Sequence, residues 1–328
     1  MINKSPNRLV YFNGKFVDEK DARVSIYDSA LMFGDMVFEM TRSFNKIQFK
    51  LDEHIDRLFH GVKTYHIPLK ISKKELKEIC FETVKKNEPL FDEDDEHRLM
   101  INISRGPLGV YSQVFNNVLE PTVIVADFPL RWTVSGMAKY FDEGINAVIT
   151  NQKAIPARYL DPKIKNRSRV FYQLANIEAS KIKGENNWAL LLDEYGKIAE
   201  GTGCNFFIVK DNKVLTPKGV DGLIGISRNY IFELCEQLKL KCSEADIEPF
   251  HVYDADEAFM TATPFCLLPV KSLNNIIIGD GKFGKISKKL IEKWSKNVGV
   301  NIIDQLISYN KKEDNLKKPA APTPYKFK

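Results

Sequence analysis

No stretch of this chain approaches the roughly 18 consecutive apolar residues that a membrane-spanning helix needs. The first residues, Met1 to Arg8, hold no apolar segment of the secretory-signal type, so a cytoplasmic location is the expectation. Cysteine is sparse: Cys80, Cys204, Cys235, Cys242 and Cys266 form an odd set of five in 328 residues, with no CxxC pair. That argues against a disulfide framework and fits a reducing compartment. The five histidines (His54, His60, His66, His97 and His251) make no HExxH and no Cys/His cluster, so no metal is expected. The body also lacks an excess of charge of either sign. Of the net charge of +5, most sits in residues 311–328, where six lysines face Glu313 and Asp314, leaving the rest at about +1. This is no nucleic-acid footprint. With Pro319, Pro322 and Pro324 and little apolar surface, the segment 311–328 reads as a disordered tail.

What is present is a core-forming composition, 44% hydrophobic over a length that suits two domains. Residues 8–18 read as a hairpin turning at Asn13-Gly14, a pair that accepts positive φ. Residues 53–66 read as a helix with Leu58, Val62 and Tyr65 on one face. Ser72 and Glu75 make a capping-box pattern at the start of a second helix. Met100 to Ser104 and Val123 to Ala126 read as strands. The expected division is an α+β N-terminal domain over 1–130, an interdomain loop over 131–142 and an α+β C-terminal domain over 143–310. In the second half, Ile145 to Ile149 is a predicted strand, followed by a helix from Ser168 to Lys183 that Gly184 stops. Strand pairs follow at 188–192 with 197–199 and at 205–209 with 213–216. A helix is expected from Ser227 to Leu238, a short strand at Phe259 to Thr261, and a last helix near Ser287. The mixture is α+β without regular βαβ units, which argues against a doubly wound nucleotide-binding sheet.

Several segments bear chemistry, each with a plainer alternative. Gly225-Ile226-Ser227-Arg228 stands where a glycine-containing loop (Gly219, Gly222, Gly225) meets a predicted helix. Free N–H groups and the helix dipole there suit a phosphate, while Ser227 as a simple N-cap explains the same residues. Thr261-Ala262-Thr263 ends a predicted strand with small hydroxyl side chains, which β-propensity also explains. Arg57, in Glu53-His54-Ile55-Asp56-Arg57-Leu58, suits a solvated face or a nearby acid. Lys163 and Lys165 flank Ile164, and most lysines are surface residues. Glu200 precedes a glycine-rich turn, where an acid is common.

Taken together and in order, these blocks resemble a known family. Phe33-Gly34-Asp35 with Val37-Phe38-Glu39, then Glu53 to Leu58, Ile164-Lys165, Glu178-Ala179, Glu200-Gly201, Asn205 to Phe207, Gly225 to Arg228, and Phe259 to Thr263 are similar to class IV, fold-type-IV pyridoxal-phosphate-dependent aminotransferases. The family includes branched-chain and D-amino acid aminotransferases and 4-amino-4-deoxychorismate lyases. The resemblance implies a two-domain α+β fold of the D-amino acid aminotransferase type and pyridoxal 5'-phosphate as cofactor. Lys165 would hold that cofactor as a Schiff base and shuttle the Cα proton. Its register comes from Glu178-Ala179, thirteen residues downstream as in the D-amino acid branch. Glu200 would bond the pyridine nitrogen, and Arg57, Ile226, Ser227 and Thr263 would hold the phosphate. Phe38 and Ala262 fall among the substrate-contacting positions, and Arg42, Arg105 or Arg169 would take the substrate carboxylate.

The pattern departs from each branch. Val110-Tyr111-Ser112 replaces the Arg-x-His pair of the D-amino acid enzymes. The Tyr-x-Arg and post-lysine Asn-Tyr of the branched-chain enzymes are absent, and the arginine of the lyase branch is missing. The expected function is amino transfer between an amino acid, plausibly branched-chain, and a 2-oxo acid such as 2-oxoglutarate. The alternatives are aminodeoxychorismate lyase, D-amino acid aminotransferase, or a non-catalytic cofactor-binding protein. The family implies a homodimer acting on small molecules, with neither nucleic acid nor membrane as partner.

Overall fold

The computed structural model describes residues 7–220 and 222–313. The expected tail lies outside the described residues from 314 onward. Its first three residues instead close a helix, Ile302–Glu313, that follows the expected last one, Lys285–Val298. The chain divides into two units, one of residues 1–130 with 164–169 and the other of 131–163 with 170–328. Residues 131–142, expected as a loop, contain the helix Arg131–Val134 and the start of Tyr140–Glu143. Val134, Met137, Tyr140 and Phe141 are buried, so this apolar run folds with the second unit.

The first unit is a five-stranded antiparallel sheet in the spatial order Lys15–Asp18, Leu9–Phe12, Thr122–Pro129, His97–Ser104, Met36–Met40. Alternation sends Val37, Leu99, Ile101, Ile103, Val123 and Val125 to one face. There they meet Leu51, Ile55, Leu58 and Val62 of the helix Leu51–Thr64, and Leu76 and Cys80 of Lys73–Asn87. Each such side chain contributes about 1.5–3 kcal/mol by leaving water. The first helix starts two residues before its sequence expectation because Leu51 continues the apolar stripe, with Asp52 and Glu53 complementing the dipole in the first turn. The second has the expected capping box, Glu75 N–H to Ser72 Oγ and Ser72 N–H to Glu75 Oε2. The other face of the sheet carries Phe38, Met40, Arg98, Met100 and Asn102, with Phe38 directly opposite Asn102.

The second unit is built on a nine-stranded mixed sheet. The strand Ile145–Ile149 lies parallel to Asn187–Leu192 on one side and to Cys266–Leu273 on the other. Beyond these come Ile198–Gly201 at one end, and Glu257–Ala262, Asn205–Lys210, Lys213–Pro217 and Lys241–Ala245 toward the other. The helix Val170–Lys181 buries Tyr172, Ala175 and Ala179 against Val148, Ala189, Leu191 and Ala199. Elsewhere the helices Ile226–Gln237 and Lys285–Val298 meet through Tyr230 and Trp294, ring centroids 4.9 Å apart. The long strand Cys266–Leu273 was not expected from the sequence. Pro269 and a short alternation hide it, although Cys266–Val270 pair with Ala258–Ala262.

Candidate active site

In the first unit, the strand Met36–Met40 is the sheet edge, and residues 165–167 pair with its free side. The Phe38 N–H donates to the Lys165 carbonyl at 2.9 Å, and the Arg167 N–H donates to the Met36 carbonyl at 3.0 Å. Val37 and Asn166 form an antiparallel bridge. Alternation then puts Ile164 in the core and Lys165 on the Phe38 side. Lys165 Nζ lies 4.9 Å from the Phe38 ring centroid. The Asn166 side chain fixes the local bend, donating to the Ile164 carbonyl and accepting the Ser168 N–H. Ser168 Oγ in turn donates to the carbonyls of Phe33 and Gly34. Lys163, the competing lysine, is exposed and paired with Asp161.

Glu39 is fully buried below this edge. Arg57 grips it with two donors, Nε to Oε1 at 2.6 Å and a terminal nitrogen to Oε2 at 2.8 Å, and His54 Nδ1 lies 2.7 Å from Oε2. Burial alone would raise the carboxyl; Arg57 and His54 overcome it and hold Glu39 well below its ordinary value of 4.5. Burial lowers His54 against the pull of Glu39, with Arg57 and Lys165 as further cations acting on it.

Beside Lys165 lies a group of guanidiniums. Arg167 sits 3.6 Å over the Phe38 ring and donates to Asn102 Oδ1, and Arg169 lies 5.1 Å from the same ring. Arg42 is fully buried, 3.8 Å over Phe44. Arg98 is 8% exposed. Burial, then the charges of Arg42 and Arg167, bring it down to about 9. Among the described residues, Arg98 Nε has no partner and no carboxylate pairs with this arginine. Such a buried cation needs an anion.

In the second unit, Glu200 is buried on the strand Ile198–Gly201. A β-bulge between Ile198 and Glu200 brings Glu200 opposite Leu191 instead of Leu190. One carboxylate oxygen accepts the Leu223 N–H at 2.8 Å and the other accepts the Tyr172 hydroxyl. Gly222 permits this approach, since a Cβ there would come 3.3 Å from the Ala199 carbonyl. The helix Ile226–Gln237 starts at Gly225 with no side-chain cap, leaving its first-turn N–H groups for an anion. Asn205 holds the preceding loop, donating to the Leu223 carbonyl at 2.7 Å. Ser227 is buried in that first turn, and Thr263 lies in the turn between Glu257–Ala262 and Cys266–Leu273.

Comparison with known proteins shows the family of the chain. The family model of amino-transferase class IV matches residues 36–273. The chain belongs to the class IV aminotransferases. A protein of Methanocaldococcus jannaschii, provisionally named as a branched-chain-amino-acid aminotransferase, is 32% identical over 301 residues, covering 90% of this chain and 99% of its own. D-alanine aminotransferase of Bacillus licheniformis is 29% identical over 282 residues, covering 86% and 94%. The crystal structure of the Escherichia coli branched-chain amino acid aminotransferase superposes with a TM-score of 0.78 at 27% identity, covering 90% of this chain and 94% of that one. The T.th. enzyme complexed with N-(5'-phosphopyridoxyl)-L-glutamate gives 0.78 at 26% identity, covering 90% and 96%. The mixed α+β architecture expected from the sequence is therefore that of fold-type-IV enzymes.

Within this aminotransferase, Lys165, Arg57, Phe38 and Arg42 gather in the first unit, and Glu200, Ile226, Ser227, Ala262 and Thr263 lie in the second. Arg105 is engaged elsewhere. It donates to both oxygens of Asp35 and to the carbonyls of Tyr65 and His66. Arg98, Asn102, Tyr172 and the Leu223 N–H escaped the sequence reading. Strand alternation through Arg98, Met100 and Asn102 was the available signal for the first two; no sequence pattern marks the bulge that turns Glu200 toward Tyr172.

Proposed function

We propose that this enzyme moves an amino group between a branched-chain amino acid and a 2-oxo acid such as 2-oxoglutarate, using pyridoxal 5'-phosphate. The carrying observation is the placement of Lys165, half-buried at the sheet edge over Phe38 and set by backbone pairing. The residues fit the cofactor chemically: an amine, a buried carboxylate with ordered donors, and an uncapped helix start able to take a phosphate. When bound, the cofactor ring withdraws electrons from the substrate α-carbon. Lys165 would hold its aldehyde carbon and would carry the proton from Cα. Glu200 would bond the pyridine nitrogen, and Arg57, Ile226, Ser227 and Thr263 would hold the phosphate. Phe38 and Ala262 would contact the substrate, and Arg42 with Arg98 would take its carboxylate, since Arg105 is occupied by Asp35 and two backbone carbonyls.

The branched-chain assignment is supported by the names of the relatives above. A second reading, D-amino acid transfer, is favoured by the D-alanine relative and by the thirteen-residue interval from Lys165 to Glu178. Borohydride reduction of the holoprotein followed by peptide mapping should label Lys165, and a label elsewhere overturns the mechanism. A panel of L- and D-amino acids, read by loss of the cofactor's visible band, separates the two substrate readings.

We also infer a homodimer acting in a reducing cytoplasm. Exposed Ile26, Leu31, Phe33, Val110 and Val114 lie on two segments joined by Tyr27 and Tyr111, whose rings are 4.5 Å apart, giving an apolar surface suited to a second copy. Among the described residues the five cysteines form no disulfide, which is compatible with a reducing compartment.

A further inference from the structure

We propose that Tyr172 is the positioning residue for Glu200, its hydroxyl holding the carboxylate in the one orientation that meets the cofactor's ring nitrogen. The inference rests on the assignment of Glu200 made above. Three independent features of the second unit converge on it. First, the bulge at Ala199 shifts the pairing, so that Glu200 faces Leu191. Leu191 packs against the helix Val170–Lys181, so the extra residue turns the acid from the opposite face of the sheet toward that helix. Second, Tyr172 stands on that helix with its ring buried among Ala175, Leu191 and Ala199, and edge-on to Phe171 at 4.6 Å. A ring held by packing gives its hydroxyl a fixed direction, and that hydroxyl donates to Glu200 Oε1. Third, the Leu223 N–H takes Oε2. With a donor on each oxygen, the carboxylate is held against rotation about its terminal torsion.

The arrangement has a chemical consequence. The Tyr172 hydroxyl and the Leu223 N–H donate to the two oxygens of Glu200, and donors of this kind suit an ionised acceptor. A charged, stationary acceptor is what a protonated ring nitrogen needs, and a rotating one would forfeit part of that bond.

The test compares two probes that differ at one atom, pyridoxal 5'-phosphate and its 1-deaza analogue, in which carbon replaces the ring nitrogen. Binding is measured on apo full-length chain by fluorescence titration. Wild type should prefer the natural cofactor. Tyr172→Phe keeps the apolar contacts and loses only the hydroxyl. It should bind pyridoxal 5'-phosphate about tenfold more weakly while binding the deaza analogue as before. A purely structural tyrosine would weaken both equally, and that result overturns the proposal, as does an unchanged preference. Should Tyr172→Phe not fold, Tyr172→Met also lacks the hydroxyl and fills the space flexibly; the same expectation applies to it. Glu200→Gln separates the two layers of inference. If it leaves the preference for the natural cofactor intact, the role of Glu200 itself is wrong. If it abolishes the preference while Tyr172→Phe does not, only the role of Tyr172 falls.

Discussion

The Phe38 N–H and the Lys165 carbonyl, 2.9 Å apart, join the lysine segment to the edge of the first sheet. The position of the amine is therefore set by backbone pairing and by what packs beneath it. Gly61, on the helix Leu51–Thr64, packs against this segment: a Cβ there would come 2.9 Å from Val37 Cγ1 and 3.2 Å from Ile164 Cγ2. Both are stiff β-branched side chains. Gly61→Ala should destabilise the protein by about 1–3 kcal/mol and displace Lys165, lowering the fraction of chains trapped by borohydride. Full labelling at unchanged stability would show that the edge pairing does not position the amine.

Glu39→Gln should remove the charge that Arg57 and His54 share. Leaving Arg57 without its buried anion should cost roughly 3 kcal/mol, read by denaturant unfolding. The pH dependence has a definite sign. The folded Glu39 lies below its ordinary 4.5, so its contribution is complete above that pH and is lost as the solution is acidified below it. Wild type should lose stability on acidification more steeply than the variant. Parallel acid profiles would remove Glu39 from the account.

Arg98→Leu tests the carboxylate site. The variant keeps an apolar side chain beside Met40 and Phe128 but offers no cation. KM for both the amino acid and the oxo acid should rise about tenfold or more, with a smaller change in kcat, because ground-state binding is what is lost. An unchanged KM would reassign the carboxylate to another residue.

His97 is fully buried between Asp127, 2.8 Å from its Nδ1, and Glu88 at its other nitrogen. Burial lowers His97, but the hydrogen bonds and charges of the two acids win and raise it above its ordinary 6.5. Its stabilisation is thus complete below pH 6.5 and is lost as the pH climbs through the higher folded value. Melting temperature should decline over that alkaline-going window in wild type, and Asp127→Asn should flatten the decline. Equal slopes in the two proteins would contradict the raised value.

Local rules were sufficient for much of the architecture. The Asn13-Gly14 hairpin, the Ser72 capping box and the apolar stripe through Leu58 and Val62 each depend on residues close in sequence, and each forms. Non-local consequences were not legible. Nothing near Lys165 announces that its segment will pair with Phe38, more than a hundred residues earlier. The engagement of Arg105 depends on Asp35 and two distant carbonyls. The direction of Glu200 depends on one unpaired residue in a register that composition does not encode. The tail illustrates another limit: proline and lysine content suggested disorder from residue 311, whereas helix periodicity carried the preceding segment to Glu313.

The sheet edge formed by Met36–Met40 has an implication for handling the protein. A bare edge strand offers its backbone groups to any passing chain and invites intermolecular strand addition. Here residues 165–167 occupy that edge, so the segment presenting the amine also works as a guard against self-association. Proteolytic nicking or partial unzipping near Lys165 should therefore promote aggregation along with loss of activity, and aggregation in stored preparations would serve as an early sign that this segment has come away.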